Sequence, residues 1–101
     1  MPLTSKQRSQ LRGLASTEDT IIYIGKGDIN DNIIRQTADA LKARELVKGK
    51  VLENSMLSPR GAADTLAAET KSEVVQLIGS KFVLYKRNEQ NPKIELVKTK
   101  K

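Results

Sequence analysis

The stretch Ile21-Ile22-Tyr23-Ile24-Gly25-Lys26-Gly27-Asp28-Ile29-Asn30-Asp31-Asn32 decides how this chain is read. Four apolar residues, three of them β-branched, predict a strand that is central in its sheet and covered by helices. A tight turn with two glycines and a lysine follows, where Gly25 and Gly27 allow positive φ or the close approach of another backbone. Asn30 suits an N-cap and Asp31 suits the positive end of the helix dipole. Ile33, Ile34, Ala38 and Leu41 then recur at helical spacing, with Arg35, Gln36, Asp39 and Lys42 between them. A basic turn and a helix N-terminus, both rich in free N–H groups, therefore meet at one place. That describes an anion site, and phosphate is the usual anion. The competing reading is a loop that merely needs its glycines. The spacing matches neither a P-loop nor a dinucleotide fingerprint. What survives is a short glycine turn clamping a nucleic-acid backbone.

Upstream, Thr4-Ser5-Lys6-Gln7 has the form of a capping box. It predicts a helix to about Ser16, with Leu11, Leu14 and Ala15 on its buried stripe. Arg8 and Arg12 stand one above the other beside that stripe, either as a solvated flank or as phosphate contacts. Downstream, Glu45 to Leu52 reads as the second strand, with Val47, Gly49 and Val51 on one face and Lys48 and Lys50 on the other. Gly49 leaves room for a helix or a ligand on the inner face. Ser58-Pro59 opens a third helix, and Ala63, Leu66, Ala67 and Thr70 form its small packing face.

The last regular unit is a hairpin, residues 74–78 and 81–86, turned at Gly79-Ser80 in type II′ geometry. Its expected register pairs Leu77 with Phe82 and Val75 with Leu84, giving one apolar face. The other face carries Gln76, Ile78, Lys81, Val83 and Tyr85, and Tyr85 either stacks on a base or packs across strands. Residues 88–101 are polar and expected to be mobile, with Ile94-Glu95-Leu96-Val97 adding a short strand or docking on the body. The expected fold is α/β of the α+β, two-layer kind: an N-terminal helix, then β-α-β-α-β-β, with a mixed four-stranded sheet. Residues 1–97 form one domain and residues 98–101 a basic, disordered tail.

Composition narrows the chemistry. The 101 residues contain no cysteine and no histidine, which removes disulfides, thiolate metal sites and the commonest general base. Nothing resembles a signal peptide or a membrane span, so the cytoplasm is the expected location. The net charge is +6, from 18 basic and 12 acidic side chains. Residues 1–87 alone hold fourteen basic and ten acidic groups, so the excess is not confined to the tail. An anionic macromolecule is the favoured partner. Aromatic residues make up 3% of the chain, which supplies base stacking poorly and favours structured RNA read by backbone and shape.

Several strings together resemble a known family: Gln7 to Ala15, Ile24-Gly25-Lys26-Gly27, Asn30-Asp31-Asn32, Arg44-Glu45-Leu46-Val47-Lys48, Val75-Gln76-Leu77-Ile78-Gly79 and Val83-Leu84-Tyr85. They are similar, in order and spacing over roughly residues 3–97, to the YhbY-type bacterial proteins. These consist of a single CRM domain, named for chloroplast splicing and ribosome maturation. The resemblance implies a fold like the C-terminal domain of translation initiation factor three. It also implies RNA binding through the glycine loop and neighbouring basic surface, on ribosomal RNA of large-subunit precursors. Two departures stand out. The family pattern Gly-x-x-Gly would place its second glycine at residue 28, where this chain has Asp28, and Gly49 replaces a β-branched residue. Asp28 either repels phosphate or stiffens the turn by accepting N–H bonds, with Gly27 supplying the flexible position one residue early.

The expected RNA contacts are Lys26, the backbone around Gly25, Gly27 and Asp28, and Arg8, Arg12 and Arg35. No cofactor, metal, membrane or small-molecule substrate is expected. A basic module that binds an acidic ribosomal or assembly protein is the rival reading. An enzyme comes third, because no pair of carboxylates and no nucleophile–base spacing stands out.

Overall fold

Each helix starts where a side chain satisfies N–H groups that the helix itself leaves unpaired. In the computed structural model, which describes residues 3–90 and 92–97, α1 spans Ser5–Ala15 behind a complete Thr4/Gln7 capping box. Helix α2 (Asp31–Arg44) is capped by Asn30, whose side chain accepts the Ile33 N–H at 2.9 Å. Helix α3 (Pro59–Thr70) is capped by Ser58, with proline in its first turn. The strands are β1 (Thr20–Ile24), β2 (Leu46–Val51), β3 (Glu73–Ile78) and β4 (Lys81–Tyr85). Gly79, at φ +58°, makes the β3–β4 turn. The expected tail, residues 98–101, lies outside the described residues.

The sheet is mixed, in the order β1-β2-β4-β3. Strands β1 and β2 are parallel, while β4 is antiparallel to both its neighbours. The α+β class with an N-terminal helix is as expected, but the place of β1 is not. It is an edge strand, because β2 and β4 occupy the two central positions. Ile22 and Ile24 are buried beneath α2 and α3, whereas Tyr23 points to the opposite face and is 50% exposed.

The hairpin register also differs from the alternation. Leu77 pairs with Phe82 as expected, but a bulge between Val74 and Gln76 sets Val74, not Val75, opposite Leu84. A bulge inserts one residue and reverses the faces beyond it. Val74 therefore joins Phe82 and Leu84 under α2 and α3, and Val75 turns to the other face with Val83 and Tyr85.

Two apolar clusters hold the layers. The larger lies between the sheet and α2/α3, around Phe82, Leu66, Leu41 and Ile24. Gly49 belongs to this layer: a Cβ there would overlap Phe82 Cζ and sit 2.6 Å from its Cε1. The close approach that the glycine allows is thus that of an aromatic ring from the facing strand, neither a helix nor a ligand. The smaller cluster lies on the other face, where α1 places Leu11 and Ala15 on Leu46, Val75, Val83 and Tyr85. Helix α1 thereby adds a partial third layer. Leu14, expected on its buried stripe, is 41% exposed at the rim of this contact. Tyr85 is a packing residue. Burial, and secondarily the neighbouring Glu45 carboxylate, raise its phenol pKa above the usual value.

Among the described residues after β4 no strand forms, and this segment docks on the body. Glu45 was expected to begin β2; instead it caps α2 at φ +66°, fully buried. Its carboxylate accepts the backbone N–H of Asn88 at 2.6 Å, Lys93 at 2.7 Å and Ile94 at 2.6 Å. Further along, Gln7 donates to Val97 O, and Gln10 donates to Glu95 O and accepts from Val97 N, so residues 95–97 lie along α1.

Candidate nucleic-acid interface

Because β1 and β2 run parallel and each leads into a helix, α2 and α3 both begin at the same end of the sheet. Two partly positive helix ends therefore face one region. The loops 25–30 and 52–58 lie there, and so does the β3–β4 turn, where Val51 donates its N–H to Ser80 O.

Within the first loop, Asp28 N–H bonds Gly25 O at 2.8 Å, closing a turn with Lys26 and Gly27 at its tip. Both tip residues are exposed. The positive φ falls on Asp28, at +53°, and on neither Gly25 nor Gly27. Asp28 thus itself holds the left-handed conformation that a glycine adopts without strain; aspartate is among the few other residues that tolerate it. Gly27 does not take over that task one residue early. The Asp28 carboxylate points across to the second loop, where it accepts Ser55 Oγ–H at 2.7 Å and Met56 N–H at 3.1 Å. It does receive a backbone N–H bond, but from another loop, so it ties two loops together.

The remaining candidate residues fall into two groups. Arg35 is exposed in the second turn of α2, on the loop side of the molecule, and carries no ion pair among the described residues. Arg8 and Arg12 belong to α1, which packs on the opposite face of the sheet. Arg8 is engaged: its Nη1 donates to Val74 O at 2.6 Å and its Nη2 lies 3.5 Å from Glu73. Val74 is the residue at which the bulge disturbs the ladder, so Arg8 satisfies a carbonyl there. Arg12 is exposed one turn further on.

Strand pairing adds cations that alternation alone did not bring together. Lys50 lies directly opposite Lys81 across β2 and β4, and opposite Tyr23 across β1 and β2. Like charges set opposite each other destabilise a sheet. Among the described residues, Lys26, Lys50 and Lys81 have no acidic partner. The sequence marked Lys50 as lying off the core, but its pairing with Lys81 depends on β4 sitting beside β2. Tyr23 was missed because its apolar neighbours made it look like part of a buried run. No group of His, Cys, Asp or Glu among the described residues could hold a metal ion, and no described helix is long and apolar enough to cross a membrane.

Comparisons with known proteins bear on what such a surface is for. The chain is 45% identical over 94 residues to the Bacillus subtilis protein named probable RNA-binding protein YqeI, covering 93% of this chain and 98% of that one. An RNA-binding protein of Haemophilus influenzae is 31% identical over 94 residues, covering 93% and 94% of the two chains. The solution structure of the Staphylococcus aureus hypothetical protein SAV1595, described there as a candidate RNA-binding protein, superposes with a TM-score of 0.78 at 47% identity. That superposition covers 95% of this chain and all of the other. The family model for the CRS1 / YhbY (CRM) domain matches residues 3–86, from the cap of α1 to the end of β4, and so takes in the glycine loop and the whole sheet. With its fold and its relatives in agreement, this chain belongs to the CRS1/YhbY (CRM) domain family.

Proposed function

We infer that this chain is a non-enzymatic RNA-binding protein that acts in the cytoplasm on structured ribosomal RNA of large-subunit precursors and assists their assembly. The observation that carries the RNA reading is the set of cations without acidic partners, Lys26, Lys50 and Lys81, at the end of the sheet where α2 and α3 begin. Two lysines held opposite each other are relieved when a phosphate lies between them, and the helix ends favour the same charge. The names of the relatives support RNA as the partner. The ribosomal assignment rests on the resemblance to YhbY-type proteins.

In this reading the Gly25–Asp28 turn approaches the RNA backbone closely, with Lys26 at its tip and Arg35 beside it. Arg8 serves the fold, and Arg12 lies on α1, which packs toward the start of β2 and the end of β4, away from the glycine loop. Lys26→Ala should weaken binding to all RNA sequences alike and lower the slope of log affinity against log salt by about 1. In lysates, the protein should sediment with large-subunit precursors at low salt and leave them as salt rises. Sedimentation only with soluble proteins defeats the ribosomal assignment. A flat salt response with an acidic protein bound instead favours the protein-interaction reading.

A further inference from the structure

Helix α1 covers only part of its face of the sheet. Its contacts reach Leu46, Val75, Val83 and Tyr85, which lie toward the start of β2 and the end of β4. Beyond them, toward the glycine loop, one row of residues crosses all four strands on the uncovered side: Tyr23 on β1, Lys50 on β2, Lys81 on β4 and Ile78 on β3. Tyr23 pairs with Lys50, Lys50 with Lys81, and Lys81 with Ile78.

The row is open. Tyr23 is 50% exposed and Ile78 63% exposed, and Lys81 is exposed as well. The Tyr23 hydroxyl donates to Thr20 O at 3.1 Å, which ties the side chain back to its own strand. In the next row, Lys48, Val83 and Gln76 add a cation and no acid. Lys48 reaches back to Glu18 O at 3.4 Å. An aromatic ring and an isoleucine on a solvated sheet, separated by two like-charged lysines, contribute nothing evident to folding.

We propose that this open half of the sheet face binds an unpaired stretch of RNA, with a base stacked on Tyr23 and the adjoining phosphates on Lys50 and Lys81. The inference rests on the RNA-binding reading and adds a second element to it: the glycine loop takes the backbone of a folded region, and the sheet takes the single strand that leaves it. Strands about 4.8 Å apart make the row roughly 14 Å wide, and four-stranded sheets with exposed aromatics stack two or three bases elsewhere. A base needs an apolar face and its phosphates need cations, and the row supplies both. An acidic polypeptide would use the lysines but leave Tyr23 and Ile78 without a purpose. The low aromatic content is thus offset by the placing of one ring at a solvated edge.

The full chain is titrated with two RNA probes, a blunt hairpin and the same hairpin carrying an unpaired 3′ extension of about eight nucleotides. The wild type should bind the extended probe more tightly. Tyr23→Ala should remove that gain, about five- to hundredfold for one stacked base, while its unchanged affinity for the blunt hairpin shows that the fold is intact. Tyr23→Phe should keep the gain, because the ring is retained. Lys81→Ala should lower the salt slope by about 1 on the extended probe. Equal wild-type affinity for the two probes, or a Tyr23→Ala loss shared equally by both, overturns the proposal while leaving RNA binding standing. If neither probe binds and polyglutamate binds through Lys50 and Lys81, the RNA reading itself fails.

Discussion

The carboxylate of Asp28 accepts the hydroxyl of Ser55 at 2.7 Å, joining the loop after β1 to the loop after β2. Removing it has two opposed effects. Asp28→Gly relieves a left-handed backbone, worth up to about 1 kcal/mol, and removes a negative charge near the proposed phosphate contact of Lys26. It also deletes the bonds from Ser55 and Met56, one of which carries a backbone N–H. Bonds to a charged acceptor contribute about 1.5–3 kcal/mol each when sheltered and less at this half-exposed site. The tether should win: Asp28→Gly lowers stability in urea by about 1 kcal/mol and weakens RNA binding. Ser55→Ala should act in the same direction. Tighter RNA binding by Asp28→Gly would mean that charge repulsion, not loop tethering, dominates.

Gly49 and Phe82 face each other across β2 and β4 with no room for a Cβ between them. The Phe82 ring is fully buried and cannot swing into solvent to admit a methyl group. Gly49→Ala should therefore destabilise the protein by about 1–3 kcal/mol, although alanine is the better strand residue. Adding Phe82→Leu to Gly49→Ala should recover part of that loss. Two single-mutant effects that simply add would show that the ring does not define the site.

Glu45 holds the chain after β4 through three backbone N–H groups, and nothing basic pairs with it among the described residues. Glu45→Gln keeps one oxygen but presents an NH2 group where a second acceptor stood. At least one buried donor then goes unsatisfied, at a cost of about 1–3 kcal/mol. Hydrogen exchange is the sensitive measurement. The amides of Lys93 and Ile94 should lose protection in Glu45→Gln before those of β4 do, and unchanged exchange at both would refute the latch.

Arg8 separates fold from function. Arg8→Ala removes the bond to Val74 O and the partly exposed pair with Glu73. Unfolding in urea should show a loss of about 1–2 kcal/mol, with the salt slope of RNA binding unchanged. A lowered slope at full stability would return Arg8 to the RNA surface.

What the sequence determined by itself is local. Thr4, Asn30 and Ser58 cap helices because each satisfies an N–H three residues away, and Gly79 turns the hairpin through its own φ. The order of elements follows from such signals, as does the position of the glycine turn between β1 and α2. Family membership was legible as well, since each string that carries the resemblance is a short uninterrupted run and the runs keep their order and spacing along the chain.

Tertiary structure decided what depends on partners far away in sequence. Nothing near Ile21–Ile24 reveals that β4 will lie beside β2 and leave β1 at the edge, with Tyr23 in solvent. Alternation along β3 cannot show the bulge that moves Val75 off the face of Phe82, because a bulge is a mismatch between two strands. The candidate site divides the same way. The turn around Lys26 is local, but the Lys50–Lys81 pair, the Asp28–Ser55 tie and the withdrawal of Arg8 to Val74 arise only from packing. Caps and turns are settled within four residues, whereas strand order and face coverage minimise exposed apolar area over the whole chain.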